Sequence, residues 1–127
     1  FVVLNEPEVR LASRNRHDSL TKVALGVARK VSASHIAVTR GTKGVMMIDV
    51  QQDAIYHVPA LSTKVVDRVG AGDSFLSLAG LCLGGGLEAE VAAFAGSATA
   101  ALDVQIVCNR EPVDPVALSK YIITLLK

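Results

Sequence analysis

The stretch Asp67-Arg68-Val69-Gly70-Ala71-Gly72-Asp73-Ser74-Phe75 carries the densest signal in this chain of 127 residues. Two glycines around a single alanine let successive backbone N–H groups turn toward one point, and a helix starting there adds the positive end of its dipole. An anion belongs at that point. Asp73 stands at the helix start, where a carboxylate caps N–H groups; beside an anion cradle it can also take the proton of a hydroxyl attacking phosphorus. The same residues equally compose a glycine-rich turn with a capping aspartate, so the stretch has to be weighed with its surroundings.

Downstream, Asp73 to Leu83 is apolar on nearly all sides and framed by Gly70, Gly72, Gly80, Gly84, Gly85 and Gly86, which predicts a helix buried all round. Leu87 to about Leu102 is Ala-rich and helical in period, and Asp114-Pro115 opens a last helix over Val116 to Leu126 as cap and first-turn proline. Upstream, Phe1 to Leu4 reads as a strand, and Asn5 caps a short helix carrying Pro7 and Glu8 in its first turn. From Ser19 onward Leu20, Val23, Ala24, Val27, Ala28 and Val31 keep one helical face apolar. His35 to Thr39 is a short β-branched run, Gly41 to Gly44 a turn, Val45 to Asp49 a strand and Ala54 to Val58 another. This order predicts a three-layer α/β/α domain with a mainly parallel sheet, helices on both faces, and a hairpin section between Val45 and Val58.

Composition bounds the function. Half the residues are hydrophobic and 20% are charged, with a formal net charge of +1, so disorder is excluded and nucleic acid is not expected as a partner. Cys82 and Cys108 lack C-x-x-C spacing, which points to neither a zinc knuckle nor a disulfide framework and fits a reduced, cytoplasmic compartment. The apolar stretch around Leu76 to Gly86 is too short to span a bilayer, so no membrane segment is expected. Phe1 to Leu4 shows no basic leader or cleavage site, and the chain reads as starting within a longer protein. His17, His35 and His57 have no metal-ligand spacing and read as surface or strand-end residues.

Gly70-Ala71-Gly72-Asp73, with Asp67 three residues before Gly70, resembles the second signature of the ribokinase/PfkB family of sugar kinases, D-T-x-G-A-G-D. Asn5-Glu6-Pro7-Glu8 is similar to that family's N-x-x-E motif, and Thr39-Arg40-Gly41-Thr42-Lys43-Gly44 to its T-x-G-x-x-G nucleotide loop. Three motifs in order are far more specific than one. The resemblance continues to about Leu126, covering nearly the whole chain but only the C-terminal part of a family domain of roughly 300 residues. It implies a ribokinase-like fold, with residues 1–127 forming the C-terminal nucleotide-binding portion of an ATP-dependent carbohydrate kinase that is inactive without its sugar-binding half.

Carried over by position, the resemblance makes Asp73 the base that deprotonates a sugar hydroxyl, and Gly70, Ala71 and Gly72 the anion hole for the transferring phosphoryl group. Thr39 and Gly41 would approach the ATP phosphates, with Gly44 allowing the tight turn. Asn5 and Glu8 would act on Mg²⁺ through ordered water. Asp67 resembles the acid that helps hold a monovalent cation, K⁺ being the implied ion, and Ser97, or its neighbour Gly96, aligns with an Asn or His near the adenine. Two departures stand out: Val107-Cys108-Asn109-Arg110 replaces a loop that usually contains Gly-Ala, and Arg68 replaces threonine, where a long cation either alters the cation site or contacts phosphate directly. Because only part of a domain is covered, one sheet edge is expected to be exposed, inviting a homodimer.

Other readings are weaker. Gly72-Asp73-Ser74 resembles the G-D-S block of an esterase family, but all three histidines precede Ser74, leaving no Asp-x-x-His downstream to supply the base. Gly41 to Gly44 fits the G-x-x-G of KH domains, yet here it joins two strands rather than two helices. No G-x-G-x-x-G follows a strand and no Walker-type P-loop is present. The remaining alternative is a PfkB-like module that binds nucleotide without catalysis.

Overall fold

In the computed structural model, which describes residues 1–62, 64–65, 67–106 and 110–127, strand direction follows from connection length. β1 (Val2–Asn5) leads through α1 (Glu6–Ser13) and α2 (Leu20–Lys30) to β2 (His35–Thr39), and a crossover of that length lets β1 and β2 pair in parallel. The Arg40–Gly44 connection to β3 (Val45–Asp49) and the Val50–Asp53 connection to β4 (Ala54–Val58) are too short to cross over, so those pairs are antiparallel. Sheet order is β1-β2-β3-β4. Among the described strands, the mainly parallel pairing expected from sequence is therefore confined to one pairing of three. The Val45 to Val58 hairpin stands as expected.

Side-chain alternation builds two cores, one on each face of the sheet. Ile36, Val38, Met46 and Ile48 point to the side covered by Val9 of α1 and by Val23, Ala24, Val27 and Ala28 of α2. Ala37, Val45, Met47 and Val58 point to the other side, under Phe75 and Ala79 of α3 (Ala71–Gly84) and under Ala89, Ala92 and Ala93 of α4 (Ala89–Asp103). Strands buried on both faces have no reason to alternate polar with apolar residues, which is why β2 and β3 read as continuous apolar runs. The three-layer α/β/α arrangement follows.

α3 departs from its expected all-round burial. Only Phe75 and Ala79 are buried, while Leu76 and Leu81 are 41% and 73% exposed. One side of α3 meets the sheet and α4, where a Cβ on Gly96 would come within 2.9 Å of Phe75, so Gly96 serves close helix packing. No described residue buries the opposite side. α5 (Pro115–Leu126) starts at Asp114, whose carboxylate accepts the N–H groups of Val116 and Ala117, and it is tied down by the Tyr121 hydroxyl donating to Leu61 O at 2.6 Å. Among the described residues no helix is long and apolar enough to cross a membrane.

Candidate active site

Asn5 and Thr39 are register partners at the carboxyl ends of the parallel strands β1 and β2. Ligands of α/β sheets bind in the crevice outside such strand ends, and two of the three motifs meet there. Asn5 ends β1 and caps α1 with its side chain: Asn5 Oδ1 accepts Glu8 N–H at 2.8 Å, and Glu8 Oε2 accepts Asn5 N–H at 2.8 Å. This capping box occupies one oxygen of each residue and leaves Glu8 Oε1, on an exposed residue, without a partner among the described residues. That free oxygen suits a hydrated cation, which takes oxygen ligands through its own water.

After Thr39 the chain turns through a 3₁₀ segment, Gly41–Lys43. Arg40 N–H donates to Gly44 O, and Gly44 N–H donates to Gly41 O. Gly41 has φ +58 and is exposed. Gly44 has φ +80 and is buried: a Cβ there would sit 2.0 Å from Val58 O. Gly44 is thus demanded by the end of β4, and it shapes the loop from beneath.

The third motif reaches the same end of the sheet along α3. Gly80 lies against the Phe1 ring at the start of β1, and the nine residues back to Ala71 cover about 13 Å at helical rise, comparable to the length of β1. The Arg68 guanidinium confirms the direction, with Nη1 lying 4.0 Å from the position a Cβ would take on Gly41. Asp67 Oδ1 accepts Val69 N–H at 3.0 Å, and Asp67 N–H donates to Val104 O at the end of α4.

Gly70 is the N-cap of α3 with φ +91 and offers no side-chain cap. Ala71 N–H reaches Arg68 O at 3.4 Å and Ser74 N–H reaches Gly70 O, whereas the N–H groups of Gly72 and Asp73 have no acceptor among the described residues. A Cβ on Gly72 would meet nothing within 4 Å, so the surface beside the helix start is open there. Of the two glycines of the turn, Gly70 has the positive φ and Gly72 does not. Asp73 is exposed, and its carboxylate makes no hydrogen bond or ion pair with the described residues. A helix start with unsatisfied N–H groups, an open cradle and a free carboxylate fits a phosphate group and an approaching hydroxyl.

Ser97 lies apart, on α4. It is buried, and its hydroxyl has no hydrogen-bond partner among the described residues. The Val107-Cys108-Asn109 part of the departing loop falls outside the described residues. A concavity of about 280 Å³ lined by Asn15, Asp18, Lys22 and Gly26 is at the other end of α1; the motif loops form an open crevice instead.

Sequence reasoning missed Glu6 and Arg40, which occupy variable positions inside two motifs. Arg40 Nε lies 3.3 Å from Glu6 Oε2, and Arg10 Nε 3.6 Å from Glu6 Oε1, tying the nucleotide-type loop to the capped start of α1. Opposite charges inside two motifs were the available signal.

Residues 1–113 match the model of the pfkB family carbohydrate kinases, and the chain belongs to that family. A bifunctional protein HldE of Nitrobacter hamburgensis is 34% identical over 103 residues, 79% of this chain and 21% of that protein. A ribokinase from Thermotoga maritima superposes with a TM-score of 0.83 at 23% identity, over 95% of this chain and 41% of that one. An Arabidopsis thaliana ribokinase complexed with ribose and ATP superposes with a TM-score of 0.77 at 20% identity, over 95% of this chain and 40% of that one. These likenesses establish the fold as ribokinase-like. The chain spans about a fifth of the curated relative and two-fifths of the ribokinases.

Proposed function

We propose that this chain is the nucleotide-binding portion of an ATP-dependent carbohydrate kinase, with Asp73 as the general base. The observation carrying the reading is the uncapped start of α3, where the Gly72 and Asp73 N–H groups and the Asp73 carboxylate, without partners among the described residues, adjoin the strand ends that hold Asn5 and Thr39. ATP, when bound with Mg²⁺, supplies the γ-phosphoryl group in a charge-screened form. Asp73 accepts the proton of the substrate hydroxyl as its oxygen bonds to phosphorus and the bond from phosphorus to the leaving ADP oxygen breaks. Gly70, Ala71 and Gly72 face the phosphoryl oxygens, where backbone donors and the α3 dipole stabilise growing negative charge.

Thr39 and Gly41 line the phosphates, Gly44 holds their turn, and Asn5 and Glu8 hold water-bound Mg²⁺. Ser97 is assigned to the nucleoside side by its position in the family pattern alone, and Asp67 supports a monovalent cation beside the anion hole. The substrate class is an alcohol group of a sugar or sugar-like molecule. The test is to express the complete open reading frame and assay it with ATP across a panel of sugars. Phosphorylation that disappears in Asp73→Asn supports the reading, and full activity in that variant overturns it.

A further inference from the structure

The side chain of Arg68 crosses from the loop before α3 to the turn between β2 and β3, placing Nη1 4.0 Å from the position a Cβ would take on Gly41. It is exposed and makes no hydrogen bond or ion pair with the described residues. The nearby Arg40 differs, since its Nε is held by Glu6. Glu6 in turn faces both Arg40 and Arg10 and is already matched by positive charge. A guanidinium offers a planar fork of N–H donors and no acceptor. One left unpaired against a glycine turn, on the same loop as the open donors of Gly72 and Asp73, lacks an anion with several oxygens.

We propose that Arg68 is a further phosphate-binding residue, clamping the polyphosphate of the nucleotide against the Gly41–Lys43 turn. The inference rests on the nucleotide reading above and adds a residue and a substrate preference to it. Arg68 bridges two loops, so it discriminates by phosphate chain, favouring the triphosphate over the nucleoside. Gly41 keeps the turn free of a side chain where the guanidinium and phosphate oxygens meet.

The experiment is calorimetric titration of MgATP and of adenosine into the parent chain, Arg68→Ala and Arg68→Lys, with circular dichroism confirming that each is folded. Arg68→Ala should weaken MgATP binding by about 10- to 100-fold, the usual worth of charge-assisted hydrogen bonds, and leave adenosine unchanged. Arg68→Lys should recover part of the loss, since it keeps the charge without the fork. If the parent binds MgATP and Arg68→Ala binds it equally well, or if adenosine is lost in parallel, the clamp is wrong while the nucleotide reading survives. A folded parent that binds no MgATP overturns both.

Discussion

Two regions, α1 with its flanks and the start of α3, treat their polar groups in opposite ways. Around α1, side chains satisfy one another locally. Asn5 and Glu8 close the helix start, Glu6 pairs with Arg10 and Arg40, and Asp18 is held by Asn15 and Lys22. Around the start of α3, Gly70 provides no cap, Gly72 and Asp73 keep free N–H groups, and the Asp73 carboxylate and Arg68 guanidinium are unpaired among the described residues. Capping is worth about 1 kcal/mol at an ordinary helix start, so leaving α3 open costs stability that a side chain could have supplied. The difference separates a support whose polar groups are matched within the chain from a helix start left open where the proposed ligand would sit.

The largest expected effect attacks the open region. Asp73→Asn in the complete protein should lower turnover by about 10²- to 10⁴-fold, the range for a lost general base, with MgATP affinity nearly unchanged. Equal loss of affinity would make Asp73 a binding group. Next, Gly70→Val places a β-branched residue at φ +91, costing about 1–3 kcal/mol and turning the cradle away. In the parent chain, phosphate should shift the amide resonances of Gly72 and Asp73 with millimolar affinity that weakens with salt, as expected for an exposed helix start. In Gly70→Val the shifts should vanish. Unmoved Gly72 and Asp73 amides in the parent would remove the contrast between the two regions.

How much of this was legible in the sequence depended on how local its cause was. The Asn5 cap, the Asp114-Pro115 start, the glycine turns and the α2 face from Leu20 to Ala28 are decided by neighbours along the chain and read correctly, whereas Val31, expected on that face, caps the end of α2 and is exposed. The three motifs could be ordered, and the structure brings two of them together as β-register partners. What was not legible is set by distant groups. Hydropathy marks α3 as apolar but not which side the rest of the fold covers, so Leu76 and Leu81 were expected inside. The Glu6–Arg40 pair joins residues far apart in sequence, and glycine spacing alone does not assign positive φ to Gly70 over Gly72. Pairing direction was readable from the Arg40–Gly44 connection, whose shortness outweighs the strand-helix-strand pattern.

A smaller effect sharpens the closed region by separating support from chemistry. Asn5→Ala removes the acceptor for Glu8 N–H and should destabilise the chain by about 1 kcal/mol in urea unfolding. Glu8→Gln keeps the reciprocal cap, since a Gln carbonyl also accepts Asn5 N–H, and should leave stability unchanged while weakening Mg²⁺-dependent turnover in the complete protein. If Glu8→Gln destabilises as much as Asn5→Ala, the carboxylate charge rather than the cap holds α1.

The smallest effect is a pH dependence in the connection between α1 and α2. Hydrogen bonds from Lys22 and Asn15 hold the Asp18 carboxyl below the ordinary value of 3.8. A folded-state value below the unfolded one contributes stability that is present above the unfolded pKa and is lost as pH falls through the folded one. Acidification from about pH 5 to pH 2 should therefore lower the Tm of the parent slightly more than that of Asp18→Asn, which keeps an oxygen acceptor but cannot ionise. Because Asp18 is exposed to solvent and salt, the gap should shrink as ionic strength rises. Superimposable acid limbs for the two proteins would mean that the ionised carboxylate adds nothing, and that α1 and α2 are joined by the Arg10 bond to Asp18 O and by the apolar seam alone.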